Sequence, residues 1–231
     1  MMKRAAAFLV IMSLVYGFSE GQTVKETRDV KGFTSVGLGI AGNLYIKIGP
    51  QFSIEFEGEK NDLEEVITEL SGERLQIKHE NWRFHFKNKV NVYVTMPELT
   101  GLGVSGSGRA EIQSAVKTED FDLSVSGSGN IYTADLDVEN LECHISGSGN
   151  IKLGGGNAVD TEISISGSGS FYGEMTKCET MEVHVSGSGN CTCQVTGSLE
   201  ASVSGSGNVT YTGNPKIDAR VSGSGHVRSV N

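Results

Sequence analysis

The tetrapeptide Ser-Gly-Ser-Gly begins at Ser105, Ser126, Ser146, Ser166, Ser186, Ser204 and Ser222, in steps of 21, 20, 20, 20, 18 and 18 residues. A flexible linker has no reason to keep such a period, so the spacing must be imposed by structure. Aligned on the first serine, the copies show three apolar columns. One residue before it stand Val104, Val125, Ile145, Ile165, Val185, Val203 and Val221. Three before it stand Leu102, Leu123, Cys143, Ile163, Val183, Ala201 and Ala219. Strand alternation puts both columns on one face. Five residues past the first serine stand Ala110, Ile131, Ile151, Phe171, Cys191, Val209 and Val227, a third column on a second strand. The tetrapeptide is the corner between the two strands. The expected fold is all-β: a parallel β-solenoid of about 20-residue coils, each coil stacking on the last at about 4.8 Å. A propeller or sandwich of antiparallel strands fits the fixed register less well.

This architecture accounts for the composition. A solenoid has a thin core, so 37% hydrophobic residues suffice, and the 31 glycines include those of the corners. The corner glycines (among them Gly127, Gly129, Gly147, Gly149, Gly187 and Gly189) and the asparagines that follow them (Asn130, Asn150, Asn190 and Asn208) form an architectural set. In-register asparagines can bond to one another up a stack.

A second polar row is less expected. Four residues before each corner stand Asp122, Glu142, Glu162, Glu182, Glu200 and Asp218, and only the first repeat departs, with Gly101. Alternation turns these carboxylates outward, where neighbours about 4.8 Å apart repel by about 1 kcal/mol per pair in water. A solvated face that discourages sideways association is the first reading. A cation-binding face or a dock for a basic partner is the sharper one. Calcium suits such oxygen ligands, but the glycine-rich nonapeptide of calcium-binding β-rolls is absent, so no metal is assigned. Ser124, His144, Ser164, His184, Ser202 and Arg220 run beside the row, two residues before each corner.

Residues 22–100 carry no strict repeat and are expected to form a β-rich region that caps or flanks the solenoid of 101–231 as one continuous unit. "NLYIKIG", "FSIEFEG", "RLQIKHE" and "VNVYVTM" alternate as strands do. "NDLEEVITEL" instead places Leu63, Val66, Ile67 and Leu70 on a helical stripe with Asn61 or Asp62 as cap, which predicts one short helix. "NWRFHF" at residues 81–86 is expected to pack locally as a hairpin or loop. At the start, Lys3 and Arg4 precede an apolar run from Ala5 to about Tyr16, followed by small residues. This predicts a signal peptide over residues 1–21 and export to the periplasm, cell surface or medium, with no membrane-spanning segment. Cys143, Cys178, Cys191 and Cys193 match no CxxC spacing and are expected as buried hydrophobes, with a bridge from Cys178 to Cys191 or Cys193 as the alternative.

No catalytic set emerges. The nucleophile-elbow pattern fails at Ser107, Ser128 and Ser148, and seven equivalent serines argue for architecture. No Walker lysine follows the glycines, and no cofactor is implied. A net charge of −9 disfavours a nucleic-acid partner.

"GFTSVGLGIAGNLYIKIG", "VNVYVTMPELTGLGVSGSG" and the repeated "SGSGNI" corners resemble the bacterial auto-transporter adhesin family with the head GIN domain, over roughly residues 30 to 225. The resemblance implies an exported, repetitive β-protein with adhesive function and no catalytic residues. One departure is that no amphipathic translocating barrel follows "GHVRSVN", so another export route is expected. The expected function is therefore non-enzymatic recognition of a glycan or a surface protein through a repetitive face. The candidate faces are the acidic row and the strand bearing Tyr132, Lys152 and Tyr172. The alternative is an envelope scaffold that self-associates into homo-oligomers through its solenoid ends.

Overall fold

The computed structural model describes residues 23–80 and 88–230. The expected signal peptide and the "NWRFHF" segment lie outside those residues. The chain begins with β1 (Thr23–Thr27), β2 (Ser35–Gly39), β3 (Asn43–Ile48), β4 (Ser53–Glu59), α1 (Lys60–Glu64), β5 (Val66–Ser71), β6 (Arg74–His79) and β7 (Asn91–Met96). The repeats follow as β8 (Gly101–Gly106), β9 (Arg109–Ile112), β10 (Val116–Gly127), β11 (Asn130–Tyr132), β12 (Asp135–Gly147), β13 (Asn150–Lys152), β14 (Gly155–Gly167), β15 (Ser170–Gly187), β16 (Asn190–Gly205), β17 (Asn208–Thr212), β18 (Lys216–Gly223) and β19 (His226–Ser229).

The repeats form a parallel β-solenoid. On its first face, the strands that enter the corners stack in register from Gly101 through Asp122, Glu142, Glu162, Glu182 and Glu200 to Asp218. On its second face, the strands that leave the corners stack as Ala110, Ile131, Ile151, Phe171, Cys191, Val209 and Val227. Leu123, Cys143, Ile163, Val183, Ala201 and the column from Ile131 to Val209 are buried between the faces. Each fully buried Val, Ile or Leu contributes about 1.5–3 kcal/mol. No single coil encloses its own column, so the stability belongs to the stack.

The two glycines of each corner are needed for different reasons. The first has positive φ, from +92° at Gly106 to +124° at Gly223, which L side chains resist. The second has no such torsion. A methyl at Gly149 would run into the Gly129 carbonyl and a Val125 methyl of the coil below. The same first-glycine carbonyls tie the coils together: Gly127 O accepts from Ser148 N at 2.8 Å and Gly149 N at 2.9 Å, and Gly147 O accepts from Ser168 N and Gly169 N at 2.8 and 3.0 Å.

The N-terminal region extends the same stack. β2 pairs in parallel with β8, and β3 with β9. β6 and β7 then stack on the far side of β2 and β3, again in parallel. The chain thus enters at the second rung, forms the outermost rung and returns to begin the repeats. That end is closed by antiparallel strands, with β4 on β7, β1 on β4 and β5 on β6. The expected helix over 61–70 is corrected: α1 covers only Lys60–Glu64, with Glu59 as N-cap and no side-chain capping bond. Residues 66–71 are strand β5, because pairing with β6 buries Val66 and Thr68 on alternate positions.

Candidate functional site

The outward positions of the first face carry the candidate site. Register aligns Ser124, His144, Ser164, His184, Ser202 and Arg220 in one row. The first serines of the corners form a second row beside it, from Ser126 to Ser222, and the carboxylates form a third. Between His144 and Ser222 the two inner rows line an open groove of about 630 Å³ along the stacking direction.

All six predicted carboxylates lie in that third row. Asp122 is half-buried, and Glu142, Glu162, Glu182, Glu200 and Asp218 are exposed. The row is not uniformly free. A carboxylate only accepts, so His144 Nε2 donates to Glu142 Oε1 at 2.7 Å and His184 Nε2 to Glu182 Oε1 at 2.7 Å. Arg220 donates to Asp218 at 3.0 Å and lies 3.9 Å from Glu200. A basic or imidazole group therefore holds a carboxylate on alternate coils, which lowers the like-charge repulsion inherent in the row.

The head of the carboxylate row, where Gly101 stands, is occupied by a basic side chain. Register places Arg74, Ser35 and Gly101 at the head of the carboxylate row. The Arg74 side chain lies along the outer face over Gly37 and Gly103. A Cβ on Gly37 would come within 3.2 Å of Arg74 Nε, and one on Gly103 would collide with the guanidinium. The glycines make the channel that lets Arg74 reach toward Asp122. Burial pushes the Asp122 carboxyl up; His144 pulls it down, Glu142 pushes it further up, and Arg74 also pulls it down. Among the described residues, Asp122, Glu142 and His144 bring three ligand atoms within 4.8 Å of one another. Arg74 beside Asp122 opposes a cation there.

The asparagine row runs on the second face. Asn150 Nδ2 donates to Asn130 Oδ1 at 2.8 Å, and Asn208 Nδ2 to Asn190 Oδ1 at 3.0 Å. Register extends the row to Asn43 and Asn91, which bond at 2.8 Å. Sequence reasoning missed these two because only the Gly42-Asn43 pair preserves the corner pattern. Tyr132, Lys152 and Tyr172 stack in register beside this row, and Tyr45 and Tyr93 join it at the capped end. Tyr45 and Tyr93 stack on each other at 5.3 Å, and the Arg109 guanidinium lies 3.8 Å over Tyr132. The rings of Tyr45, Tyr93 and Tyr132 are thus engaged by neighbours, and Tyr172 stands exposed without a ring partner among the described residues. The first face, with its groove, is the stronger candidate.

The four cysteines are free and buried. Burial pushes the Cys143 thiol well up and the Cys178 thiol up to about 11. A hydrogen bond with Cys193, followed by burial, raises Cys191.

The fold and its outer rows define a class: an all-β parallel solenoid whose inward and corner positions are architectural and whose outward rows carry chemical variety. The family model "Putative auto-transporter adhesin, head GIN domain" matches residues 32–215, and the chain belongs to that family. Solved structures share the fold. A "putative adhesin" of Bacteroides fragilis is 25% identical with a TM-score of 0.85, over 92% of this chain and 98% of that one. A "putative adhesin" of Parabacteroides merdae is 22% identical with a TM-score of 0.73, over the same shares. A "putative lipid binding protein" of Parabacteroides distasonis is 22% identical with a TM-score of 0.74, again over 92% and 98%. No protein with a curated description matches the chain. No helix of the described residues is long and apolar enough to cross a membrane.

Proposed function

We propose that this protein is an exported, non-enzymatic recognition protein that binds a hydroxyl-rich glycan in the groove of its first face. The observation that carries the reading is the groove itself: serine hydroxyls on every coil and imidazole or guanidinium on alternate coils, with the carboxylate row running alongside. Hydroxyls and carboxylates are natural partners for sugar hydroxyls, and charge-assisted bonds to carboxylates are the stronger kind. The acidic rim and the net charge of −9 disfavour polyanionic glycans. Family membership and the adhesin names of the similar structures support a surface address.

Two measurements test the reading. Protease shaving of intact cells should remove the protein while a periplasmic control survives. A glycan array probed with the purified chain should show binding to neutral glycans that His184→Ala weakens. Protection from shaving together with an empty array would overturn it.

One observation favours a second reading, a self-associating scaffold. In the last coil described, Ile217 and Val221 face the core side yet remain 46% and 43% exposed. In an antiparallel pair of β18 strands centred on Ala219, Asp218 would oppose Arg220 of a second copy and Ile217 would oppose its Val221, a self-complementary pattern. This reading predicts concentration-dependent dimers by light scattering, and a strict monomer at high concentration would end it.

A further inference from the structure

The groove residues two positions before the corners alternate in size. His144, His184 and Arg220 stand on every second coil, with Ser164 and Ser202 between them in register. We infer that these side chains divide the groove into two similar compartments, which together bind a linear neutral polysaccharide lying along the stacking axis and place every second sugar in a compartment. This inference rests on the glycan reading above and specifies its ligand class and binding mode.

The compartments share a plan and differ in one wall. The first is lined by Ser164 and Ser166 between His144 and His184, with Glu162 in the adjacent carboxylate row. The second is lined by Ser202 and Ser204 between His184 and Arg220, with Glu200 in that row. Each serine leaves open the space that an imidazole or guanidinium fills on the next coil. The walls are held in place, because His144 and His184 are tied to Glu142 and Glu182 at 2.7 Å and Arg220 to Asp218 at 3.0 Å. Glu162 has only Ser164 beside it on its own coil, which leaves its oxygens for a ligand's hydroxyl donors, whereas Glu200 also has the Arg220 guanidinium 3.9 Å away.

The spacing selects the occupant. Walls two coils apart are about 9.6 Å from centre to centre. A polymer lying along the stack presents its rings lengthwise between these walls, and the serine hydroxyls facing each compartment suit a saturated ring that carries hydroxyls of its own. The compartments are themselves two coils apart, so a polymer with one equivalent ring in two can enter both. A terminal sugar would fill one. Joining the two contacts in one chain raises affinity through effective concentration, typically by about 10²–10⁴-fold.

The test is titration calorimetry of the full chain with neutral linear oligosaccharides (cello-, xylo- and manno-series) from monosaccharide to octasaccharide. The expected result is a step in affinity of about 100-fold or more at the length that spans both compartments. Ser164→His and Ser202→His each fill one compartment with a side chain the row already carries. Each should abolish the step and leave weak binding, and the double variant should abolish binding, with the melting temperature unchanged. A smooth dependence on length, or variants that bind like the parent, overturns the two-compartment inference and leaves the glycan reading standing. Array binding confined to branched or terminal-sugar structures does the same. No binding to any glycan overturns both.

Discussion

Replacing Gly147 by alanine tests the account of the corner most directly. Its φ is +116°, and a Cβ there would sit 2.5 Å from the Gly127 carbonyl oxygen. That oxygen is held by hydrogen bonds from Ser148 N and Gly149 N at 2.8 and 2.9 Å, so it cannot retreat without weakening both. The torsion costs an L residue about 1–3 kcal/mol, and each weakened bond adds about 1 kcal/mol. Together they predict a loss of about 3–5 kcal/mol. For a chain of this size that lowers the melting temperature by about 6–20 °C. Gly72 provides the control. It also has positive φ, +59°, but nothing lies within 4 Å of its added Cβ. Gly72→Ala should cost only about 1–2 kcal/mol, the left-handed penalty alone. The assay is thermal unfolding followed by far-ultraviolet circular dichroism on both variants. If Gly147→Ala melts no lower than Gly72→Ala, coil-to-coil contact at the corner is not what demands glycine there.

Three further predictions follow from other parts of the structure. Asn150→Ala removes the bond to Asn130 and should cost about 1 kcal/mol, measurable in the same melt. Gly103→Ala should destabilise the parent by displacing the Arg74 guanidinium and should cost less in an Arg74→Ala background, where only the Ser124 hydroxyl at 2.9 Å has to turn aside, so a double-mutant cycle should show that the two changes cost less together than their sum. Cys143 and Cys178 should resist thiol reagents at mildly alkaline pH, because burial keeps both thiols protonated. For Cys178, raised from 9.0 to about 11, the unfolded thiol ionises first as pH rises. Its contribution to stability is therefore complete below about pH 9 and is lost as the pH climbs through about 11, and a melting temperature that is flat across that window in the parent and falls no further than in Cys178→Ala would refute this.

The repeats were legible because a coil writes the same constraint many times. Val125, Ile145 and Ile165 obey one geometric demand, and each copy restates it. The rungs formed by β2, β3, β6 and β7 were not legible. Each satisfies the same stacking geometry with its own residues, and their order along the stack departs from their order in the chain. At Gly39-Ile40-Ala41-Gly42-Asn43 only the second glycine and the asparagine survive from the corner pattern. The segment 61–70 misled for a different reason. Leu63, Val66, Ile67 and Leu70 suit a helical stripe, but antiparallel pairing with β6 satisfied the backbone of 66–71 as strand, and tertiary pairing outweighed local periodicity. The carboxylate row was legible as a row. Its pairing with His144, His184 and Arg220 on alternate coils was not, because it depends on side chains two residues apart turning toward one another.

The same logic separates architecture from function. Inward positions are fixed by the core, the first corner glycine by its torsion, and the second by the coil beneath it. What remains free on the first face is the outward trio on each coil: the carboxylate, the residue two before the corner and the first serine. Two of these are nearly constant from Asp122 to Asp218, and constancy there adds only repetition. The middle position varies, and it alternates between serine and a large basic or imidazole side chain. Packing does not require that alternation, since serine and histidine occupy equivalent solvent-facing sites with the same backbone register. Backbone register alone would permit either residue at every coil. A period of two coils imposed on a period of one has two accounts: relief of repulsion in the carboxylate row by His144, His184 and Arg220, and the proposed polysaccharide, whose repeat would be twice the coil spacing. The Ser164→His and Ser202→His variants separate the two, because only the second requires them to lose ligand.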